Sequence, residues 1–348
     1  MEGASQGMTR KKITRILFAI IILFTLSSFY YLPYYVSKPG IAKELAPIIE
    51  VKNGYGENGS FMLTTVRMGK ANIYTYTIAK MSKYHEIYKE KEVRRENETD
   101  EEYSVRQLQL MASSKQNAVE VAYNKAGIPV NYQFNGVYVL NVVPDMPAYQ
   151  VLQAGDRIFK LDGQEFQSSS EFMNYVSGKE AGDQIKLTYE RKKKVKEADI
   201  EVAKFKDPEQ EGKVGIGIGL VDDKELIVDP EVVINTEEIG GPSAGFMFSL
   251  EIYNQLIKED LTKGYEIAGT GTISPDGTVG KIGGIEQKII AADKAGAEYF
   301  LAPNENGAKD SNYQNAVKTA DDIGTEMKII PVDTFDGAIE ILESLAHK

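Results

Sequence analysis

The sequence has no cysteine and only two histidines among its 348 residues. Without cysteine the chain forms neither disulfide bonds nor thiolate metal sites. His85 falls in a charged, polar stretch and His347 is the next-to-last residue. A Ser-His-Asp triad would have to use one of these two side chains, so a serine nucleophile is expected to depend on a lysine instead. The shortage of histidine argues against a trypsin-like protease in particular.

The usual nucleotide-binding motifs are also missing. The sequence has no Gly-x-x-x-x-Gly-Lys-Ser/Thr, which excludes ATP hydrolysis by a P-loop. The glycines of Val214 to Leu220 alternate with apolar residues, which predicts a twisted strand and not a dinucleotide loop. The net charge of −11 and the pI near 5.0 disfavour nucleic acid, because its phosphates would be repelled. We therefore expect no nucleic acid, no ATP, no cofactor and no metal ion.

Residues 1–36 are predicted to form a cytoplasmic tail and a transmembrane helix. Ile16 to Val36 are 21 consecutive residues without a charge, and a helix of that length would cross roughly 30 Å of hydrocarbon. Basic residues precede this segment, at Arg10, Lys11, Lys12 and Arg15. They place the N-terminus in the cytoplasm and the rest of a single-pass cell-membrane protein, catalytic domain included, outside. The alternative is a cleaved signal peptide, although Thr25 to Ser27 would make a poor cleavage site.

Residues 37–124 are predicted to be an extracytoplasmic juxtamembrane region. Ser60 to Val66 has the pattern of an apolar strand, and Ile73 to Ile78 is a second β-prone run. A helix is predicted from about Ser104 to Ala126, because alanines and larger apolar residues recur on one side of it. We interpret this helix as a structural element that packs against the core and not as part of a functional site.

Residues 125–206 have the pattern of a small β-rich domain. Val137 to Val143 predicts a strand, Ala154 to Gly163 predicts a strand between two turns, and Ser168 has the character of a helix cap. These segments, with Leu152 to Ile158 and the Pro147-Ala148 step, resemble a PDZ domain of the kind found in bacterial proteases. The resemblance implies that an extended peptide is bound by strand addition.

The PDZ resemblance also implies a peptide groove. Its edge strand would run from Gly136 to Leu140, opposite a helix from about Ser169 to Val176. For each single residue of this strand, core packing is the competing interpretation. The implied groove residues are Gly136, Val137, Tyr138, Val139 and Leu140.

Residues 207–348 contain a candidate nucleophile. Ser243 lies in Gly-Gly-Pro-Ser-Ala-Gly at residues 240–245, and an apolar helix is predicted from Ser243 to Leu256, with Ser243 in its first turn. Unpaired N–H groups in the first turn of a helix would suit an oxyanion, and Gly241 would let a substrate backbone approach closely. Taken alone, an ordinary serine at the start of a buried helix remains the alternative.

A candidate base lies in the next predicted helix, from about Ile285 to Ala295. Lys288 falls on or beside the apolar stripe formed by Ile285, Ile289 and Ala292. Partial burial would lower the pKa of its amine and make it a base for Ser243. The alternative is a lysine whose amine reaches water. Lys281 is the second choice of base, in a strand and turn where its side chain would face solvent.

Together these segments resemble the proteolytic domain of Lon-type proteases, peptidase family S16. Gly241 to Gly245 is followed by Gly283 to Lys288, and Lys288 lies 45 positions after Ser243. Ala268 to Ile273, Gly277 to Ile282 and the segments after Lys288 continue the pattern. The resemblance implies that Ser243 is the nucleophile and Lys288 the general base and acid. It also implies that Thr270 positions the amine and that Gly241 supports the site.

One residue departs from the pattern of that family. Many ATP-dependent members have Asp-Gly-Pro-Ser, whereas this chain has Gly240 in place of the aspartate. This puts regulation through that position in doubt, but not the Ser-Lys dyad. The AAA+ motor of those enzymes is missing from this sequence as well. The order of segments resembles the membrane-anchored PDZ plus Lon-type serine proteases of Gram-positive bacteria (SepM/YlbL-like).

The predicted fold class is multidomain α+β, with an N-terminal transmembrane helix, a β-rich PDZ domain and, in residues 207–348, an α+β Lon-type proteolytic domain. The predicted function is that of an ATP-independent serine endopeptidase with a Ser-Lys dyad. Its substrates would be extracytoplasmic peptides, unfolded proteins or small membrane-tethered regulatory proteins, delivered through the PDZ domain. The alternative is a membrane-tethered PDZ adaptor with a degenerate catalytic domain.

Overall fold

The computed structural model describes residues 3–96, 98–205, 212–236 and 239–348, with side chains from residue 12 onward. The side chains of Arg10 and Lys11 lie outside that description. So does the predicted boundary between the PDZ and proteolytic domains, at residues 206 and 207.

The predicted transmembrane helix is wrong. Helix α1 (Gly3–Ser28) ends well before Val36, and strand β1 (Tyr31–Glu44) follows it. The uncharged segment from Ile16 to Val36 is therefore divided between a helix and a strand, because its tyrosine-rich half pairs with β3 (Ser60–Asn72) in a sheet. Aromatic and β-branched residues fit a pleated surface, and in this segment that preference prevails over continued helix. Within the described part of the chain, no helix combines the length and apolar character needed to cross a membrane.

The larger sheet is built from two distant parts of the sequence. Its remaining strands are β4 (Glu86–Lys89), β14 (Glu266–Gly269), β17 (Tyr299–Pro303) and β18 (Lys328–Val332). The strand order is β18-β17-β14-β3-β1-β4. From β18 to β3 each strand is parallel to the next one in this order. β1 is antiparallel to both of its neighbours, β3 and β4. The predicted juxtamembrane region thus shares one sheet with the C-terminal third of the chain.

Helices cover both faces of this sheet. The helices of this part of the protein are α2 (Ile73–Met81), α3 (Glu90–Val93), α4 (Asp100–Lys125), α6 (Gly245–Leu256), α7 (Ile285–Lys294), α8 (Asn312–Ile323) and α9 (Phe335–Glu343). On one face α4, α6 and α9 enclose a core that contains Phe61 and Phe246. On the other face α7 and α8 pack over Met62 and Phe300. Phe61 and Met62 are consecutive in β3, so the alternation of a strand supplies both cores.

One short segment differs from its predicted strand. Ile73 to Ile78 was expected to be β-structure, but it lies in helix α2. Asn72 caps this helix, since its side chain accepts hydrogen bonds from the N–H groups of Tyr74 and Thr75. The Thr75 hydroxyl in turn accepts from the Asn72 N–H, which completes a capping box. A satisfied helix start here outweighs the β-propensity of the residues that follow.

A second, separate sheet is inserted between α4 and the nucleophile segment. Its strand order is β12-β5-β6-β8-β9, with a short β7 beside β6. The elements are β5 (Asn131–Val142), β6 (Arg157–Leu161), β7 (Gln164–Glu165), α5 (Ser169–Ser177), β8 (Gln184–Arg191), β9 (Lys194–Glu201) and β12 (Ile218–Ile227). It has its own core, which includes Val137, Ile158, Phe172 and Ile185.

Three two-stranded pairs lie outside the two larger sheets in the described part of the chain. The two-stranded pairs are β2 (Ile49–Val51) with β13 (Val232–Ile234), β10 (Ala203–Lys204) with β11 (Val214–Gly215), and β15 (Thr272–Ile273) with β16 (Val279–Gly280). Short 3-10 turns lie at Pro147–Gln150 and Glu305–Gly307. The pairing of β13 with β2 returns the chain from the inserted sheet to the larger one, just ahead of Ser243.

The implied peptide groove needs a correction. Strand β5 is not an edge strand, because β12 pairs along one side of it and β6 along the other. Val137, for example, lies opposite Asp222 on one side and Ile158 on the other. The outer strand of the sheet is β12, whose described partner is β5. The segment Gly136, Val137, Tyr138, Val139 and Leu140 therefore offers no open edge for a peptide.

Candidate active site

Ser243 lies in the turn that precedes helix α6. The helix begins at Gly245, so Ser243 precedes its first turn and does not lie within it as predicted. Gly241 has a φ of 88°, a left-handed conformation that favours glycine. The turn brings the half-buried Ser243 to the start of α6, next to the loop that follows β14.

The structure brings Ser243, Lys288 and Thr270 together. The Lys288 Nζ atom lies 2.8 Å from the Ser243 Oγ atom and 2.7 Å from the Thr270 Oγ1 atom. Lys288 belongs to α7, and its apolar stripe predicted the burial that is observed, since the residue is only 1% exposed. Ser243 lies just before α6, and Thr270 directly follows β14.

Burial changes the chemistry of this lysine. Desolvation lowers the pKa of Lys288 to about 7, because a charged amine is disfavoured away from water. A large fraction of the amine is therefore neutral at physiological pH and able to accept a proton.

The hydrogen bonds define a direction for that proton. The Thr270 hydroxyl donates to the Ser243 carbonyl oxygen at 2.9 Å, so its oxygen is free to accept from the Lys288 amine. A neutral amine has two hydrogens and one lone pair. With one hydrogen given to Thr270, the lone pair can face the Ser243 hydroxyl. The arrangement suits removal of the Ser243 proton by Lys288.

Lys281 occupies a different environment. Its side chain is 54% exposed, and its amine lies 3.0 Å from a Glu305 carboxylate oxygen at the surface. Paired there, it does not contact Ser243. His347 is exposed near the C-terminus, and His85 lies between α2 and β4. In the part of the chain that the structure describes, neither histidine hydrogen-bonds to Ser243.

Helix α4 contributes contacts that its sequence did not indicate. The Gln107 carbonyl oxygen accepts from the Gly241 N–H at 3.1 Å, and the Ser114 hydroxyl donates to the Pro242 carbonyl oxygen at 3.0 Å. A Cβ atom at Gly240 would lie 3.1 Å from the Gln107 Cβ atom, so α4 also restricts the side chain that position 240 can hold. The apolar periodicity of α4 predicts a buried face, but it does not identify which loop that face touches.

Comparison with known families identifies both units. The PDZ domain profile matches residues 110–202, and the profile of the Lon protease (S16) C-terminal proteolytic domain matches residues 227–345. The chain therefore contains a PDZ domain and a Lon-type proteolytic domain, as its motifs indicated. Together they form a mixed α/β structure.

Curated relatives that match part of the chain are Lon proteases. The Lon protease of Campylobacter concisus is 38% identical over 100 residues, which are 29% of this chain and 12% of that protein. The Lon protease of Mycoplasma mobile is 34% identical over 108 residues, which are 31% of this chain and 12% of that protein. The chain thus spans about an eighth of the length of these two relatives.

Solved structures that match part of the chain include PDZ domains. The PDZ domain of an SdrC-like protein from Listeria monocytogenes is 42% identical, covering 26% of this chain and 90% of that chain, with a TM-score of 0.23. The corresponding domain from Listeria innocua is 45% identical, covering 24% and 92%, also with a TM-score of 0.23.

Proposed function

We propose that this protein is a serine endopeptidase in which Ser243 is the nucleophile and Lys288 is the general base and acid. The observation that carries the proposal is a buried lysine with a pKa of about 7 whose amine lies 2.8 Å from a serine hydroxyl. Thr270 supports the pair by fixing both the amine and the Ser243 carbonyl. This use of the dyad agrees with the Lon-type domain in which it lies.

The reaction follows from the order of proton transfers. Lys288 takes the Ser243 proton while Oγ attacks a peptide carbonyl carbon, and the carbonyl electrons move to its oxygen. The tetrahedral intermediate collapses, its C–N bond breaks, and the Lys288 ammonium gives the proton to the leaving amine. Water then gives a proton to Lys288 and attacks the ester. When the ester C–O bond breaks, Ser243 recovers that proton from Lys288.

The substrates we propose are extended or unfolded peptides. Because the sequence has no Walker-type motif, we propose that cleavage by this chain needs no ATP hydrolysis. The PDZ unit would deliver a peptide by strand addition along β12, the outer strand of its sheet and a neighbour of α5. The extracytoplasmic location of the catalytic domain stays a prediction of the sequence.

Substitution of each dyad residue tests the proposal. Ser243→Ala and Lys288→Met should each lower cleavage of an unfolded fluorescent casein by at least about 10³-fold, because each removes a group needed in the chemical step. Lys281→Met is the matched control and should retain near-normal activity, since Lys281 lies at the surface. Labelling by a fluorophosphonate should disappear in Ser243→Ala.

Full cleavage by either dyad variant would refute the assignment. A wild-type chain that binds peptides but neither cleaves them nor reacts with fluorophosphonate would instead support the PDZ adaptor with a degenerate catalytic domain. Circular dichroism of both variants would show that the fold is retained.

A further inference from the structure

Both peptide groups that flank Ser243 are held by their carbonyl oxygens. On the C-terminal side, the Ser243 oxygen accepts from the Thr270 hydroxyl at 2.9 Å and from the Gly271 N–H at 3.0 Å. On the N-terminal side, the Pro242 oxygen accepts from the Ser114 hydroxyl at 3.0 Å and, at the longer distance of 3.4 Å, from the Gly245 N–H. The proposed dyad explains why Thr270 is present, but it does not explain Ser114.

The planarity of the peptide group gives the Ser114 contact a consequence. The Pro242–Ser243 bond is trans, so its N–H points away from its carbonyl oxygen. The Ser114 hydroxyl holds the Pro242 carbonyl oxygen on the side of the loop that faces α4. The Ser243 N–H of the same peptide group therefore points to the side that faces away from α4. An N–H group beside the attacking oxygen is suitably placed for the oxyanion that forms in acyl transfer.

The local packing is adapted to this contact. Ser114 is 4% exposed and lies on the buried face of α4, with Met111 and Ala118. A Cβ atom at position 245 would lie 2.3 Å from the Ser114 hydroxyl oxygen and 2.9 Å from the Ile273 Cγ2 atom. Gly245 thus leaves the space in which the Ser114 hydroxyl reaches the loop. This gives the last glycine of the nucleophile motif a physical reason.

We propose that Ser114 is a positioning residue for the oxyanion: by holding the Pro242 carbonyl, it orients the Ser243 N–H toward the developing charge. Ser114 itself contacts neither the Lys288 amine nor the Ser243 hydroxyl in the described structure. The proposal rests on the proposed peptidase function and assigns one more residue to the same site.

Ser114→Ala in the full chain tests the proposal, with Ser113→Ala as the matched control. Ser113 is the neighbouring serine on the exposed side of α4, so the same substitution there changes helix propensity equally. We expect kcat of Ser114→Ala to fall about 10- to 100-fold, less than the roughly 10²- to 10³-fold cost of removing an oxyanion donor outright. KM should stay within about twofold, because the contact matters mainly in the transition state. Ser113→Ala should behave as wild type.

Two further measurements separate positioning from a merely structural role. The affinity for a peptide boronate, which forms a tetrahedral adduct on Ser243, should fall by the same factor as kcat/KM. The midpoint of the pH–rate profile should stay at its wild-type value, because the surroundings of Lys288 are unchanged. Ser114→Cys, which keeps the shape but donates weakly, should show the same defect if Ser114→Ala does not fold.

An unchanged kcat in Ser114→Ala, or in Ser114→Cys where the first variant is unfolded, would overturn the inference. A raised KM at constant kcat would overturn it too, since that would indicate uniform substrate binding. Both outcomes leave the peptidase proposal intact as long as Ser243→Ala is inactive. Activity in Ser243→Ala would defeat the peptidase proposal itself, whatever Ser114 does.

Discussion

The proposed dyad and the proposed peptide edge of the PDZ sheet are two very different kinds of site. At the dyad, one side chain is kept almost completely dry, and its amine lies within 3 Å of two hydroxyl oxygens. At the PDZ edge, the groups available to a peptide belong to the backbone of β12, whose described partner is β5 alone. The first site depends on single atoms, whereas the second depends on a row of similar backbone groups.

This difference predicts how each site responds to substitution. A chemical step that requires one neutral amine loses most of its rate when one atom is removed. Strand addition distributes its free energy over many hydrogen bonds, so a single change has a modest effect. Substitutions near Lys288 should therefore change kcat strongly, and substitutions near β12 should change peptide affinity weakly.

The largest effect outside Ser243 and Lys288 is expected at Thr270. Thr270→Val keeps the shape but removes the acceptor for the Lys288 amine and the donor to the Ser243 carbonyl. We expect kcat to fall about 10- to 100-fold. The pH–rate midpoint should move to lower pH, because a lost acceptor destabilises the charged amine more than the neutral one.

Thr272→Val is the matched control for Thr270. Thr272 lies in the neighbouring β15 and does not contact the Lys288 amine in the described structure. Steady-state kinetics across pH 5 to about 9 would measure both variants. Equal kcat values for the two variants would mean that the dyad does not need the Thr270 hydroxyl.

A smaller effect is expected at the PDZ edge. The Asp222 carboxylate on β12 accepts from the Ser169 N–H at the start of α5, at 2.8 Å, and this helps hold the helix beside the strand. Asp222→Ala should weaken binding of a fluorescein-labelled peptide with a free, apolar C-terminus about two- to fivefold. The effect is small because the substitution removes one charged hydrogen bond that positions the helix and does not itself contact the peptide. Fluorescence anisotropy measures this affinity.

Asp199→Ala gives the comparison on the opposite edge of the same sheet. Asp199 is exposed in β9, away from α5. Its substitution should therefore leave peptide affinity unchanged. Cleavage of a short peptide that does not need capture should be normal in both variants. A greater loss of affinity at Asp199 than at Asp222 would move the peptide site away from β12.

The parts of the site that follow local rules were predictable. The periodicity of Ile285, Ile289 and Ala292 placed Lys288 at the buried face of a helix, and α7 has that face. The motif around Ser243 predicted an apolar helix that begins at Ser243, and the observed α6 begins two residues later, at Gly245. Helix α4 was also predicted, although it begins at Asp100, earlier than expected.

The remainder depends on contacts between distant segments. Residues 136–140 do not specify whether their strand is internal, since that depends on where β12 pairs. The tyrosine-rich run after Ser28 is uncharged enough for a long helix, yet its pairing with β3 makes it a strand. Likewise the role of Ser114 depends on a loop far along the chain, and no local pattern of α4 indicates it.

The most direct test of the account is the pH dependence of kcat/KM in a variant without histidine, His85→Gln with His347→Gln. The neutral amine is the active form, so activity should rise with pH through the Lys288 pKa of about 7 and then level off. We expect the midpoint of the kcat/KM profile to be the same in the wild type and in the histidine-free variant. A midpoint that disappears with the histidines, or one near the ordinary lysine value of about 10.4, would contradict it.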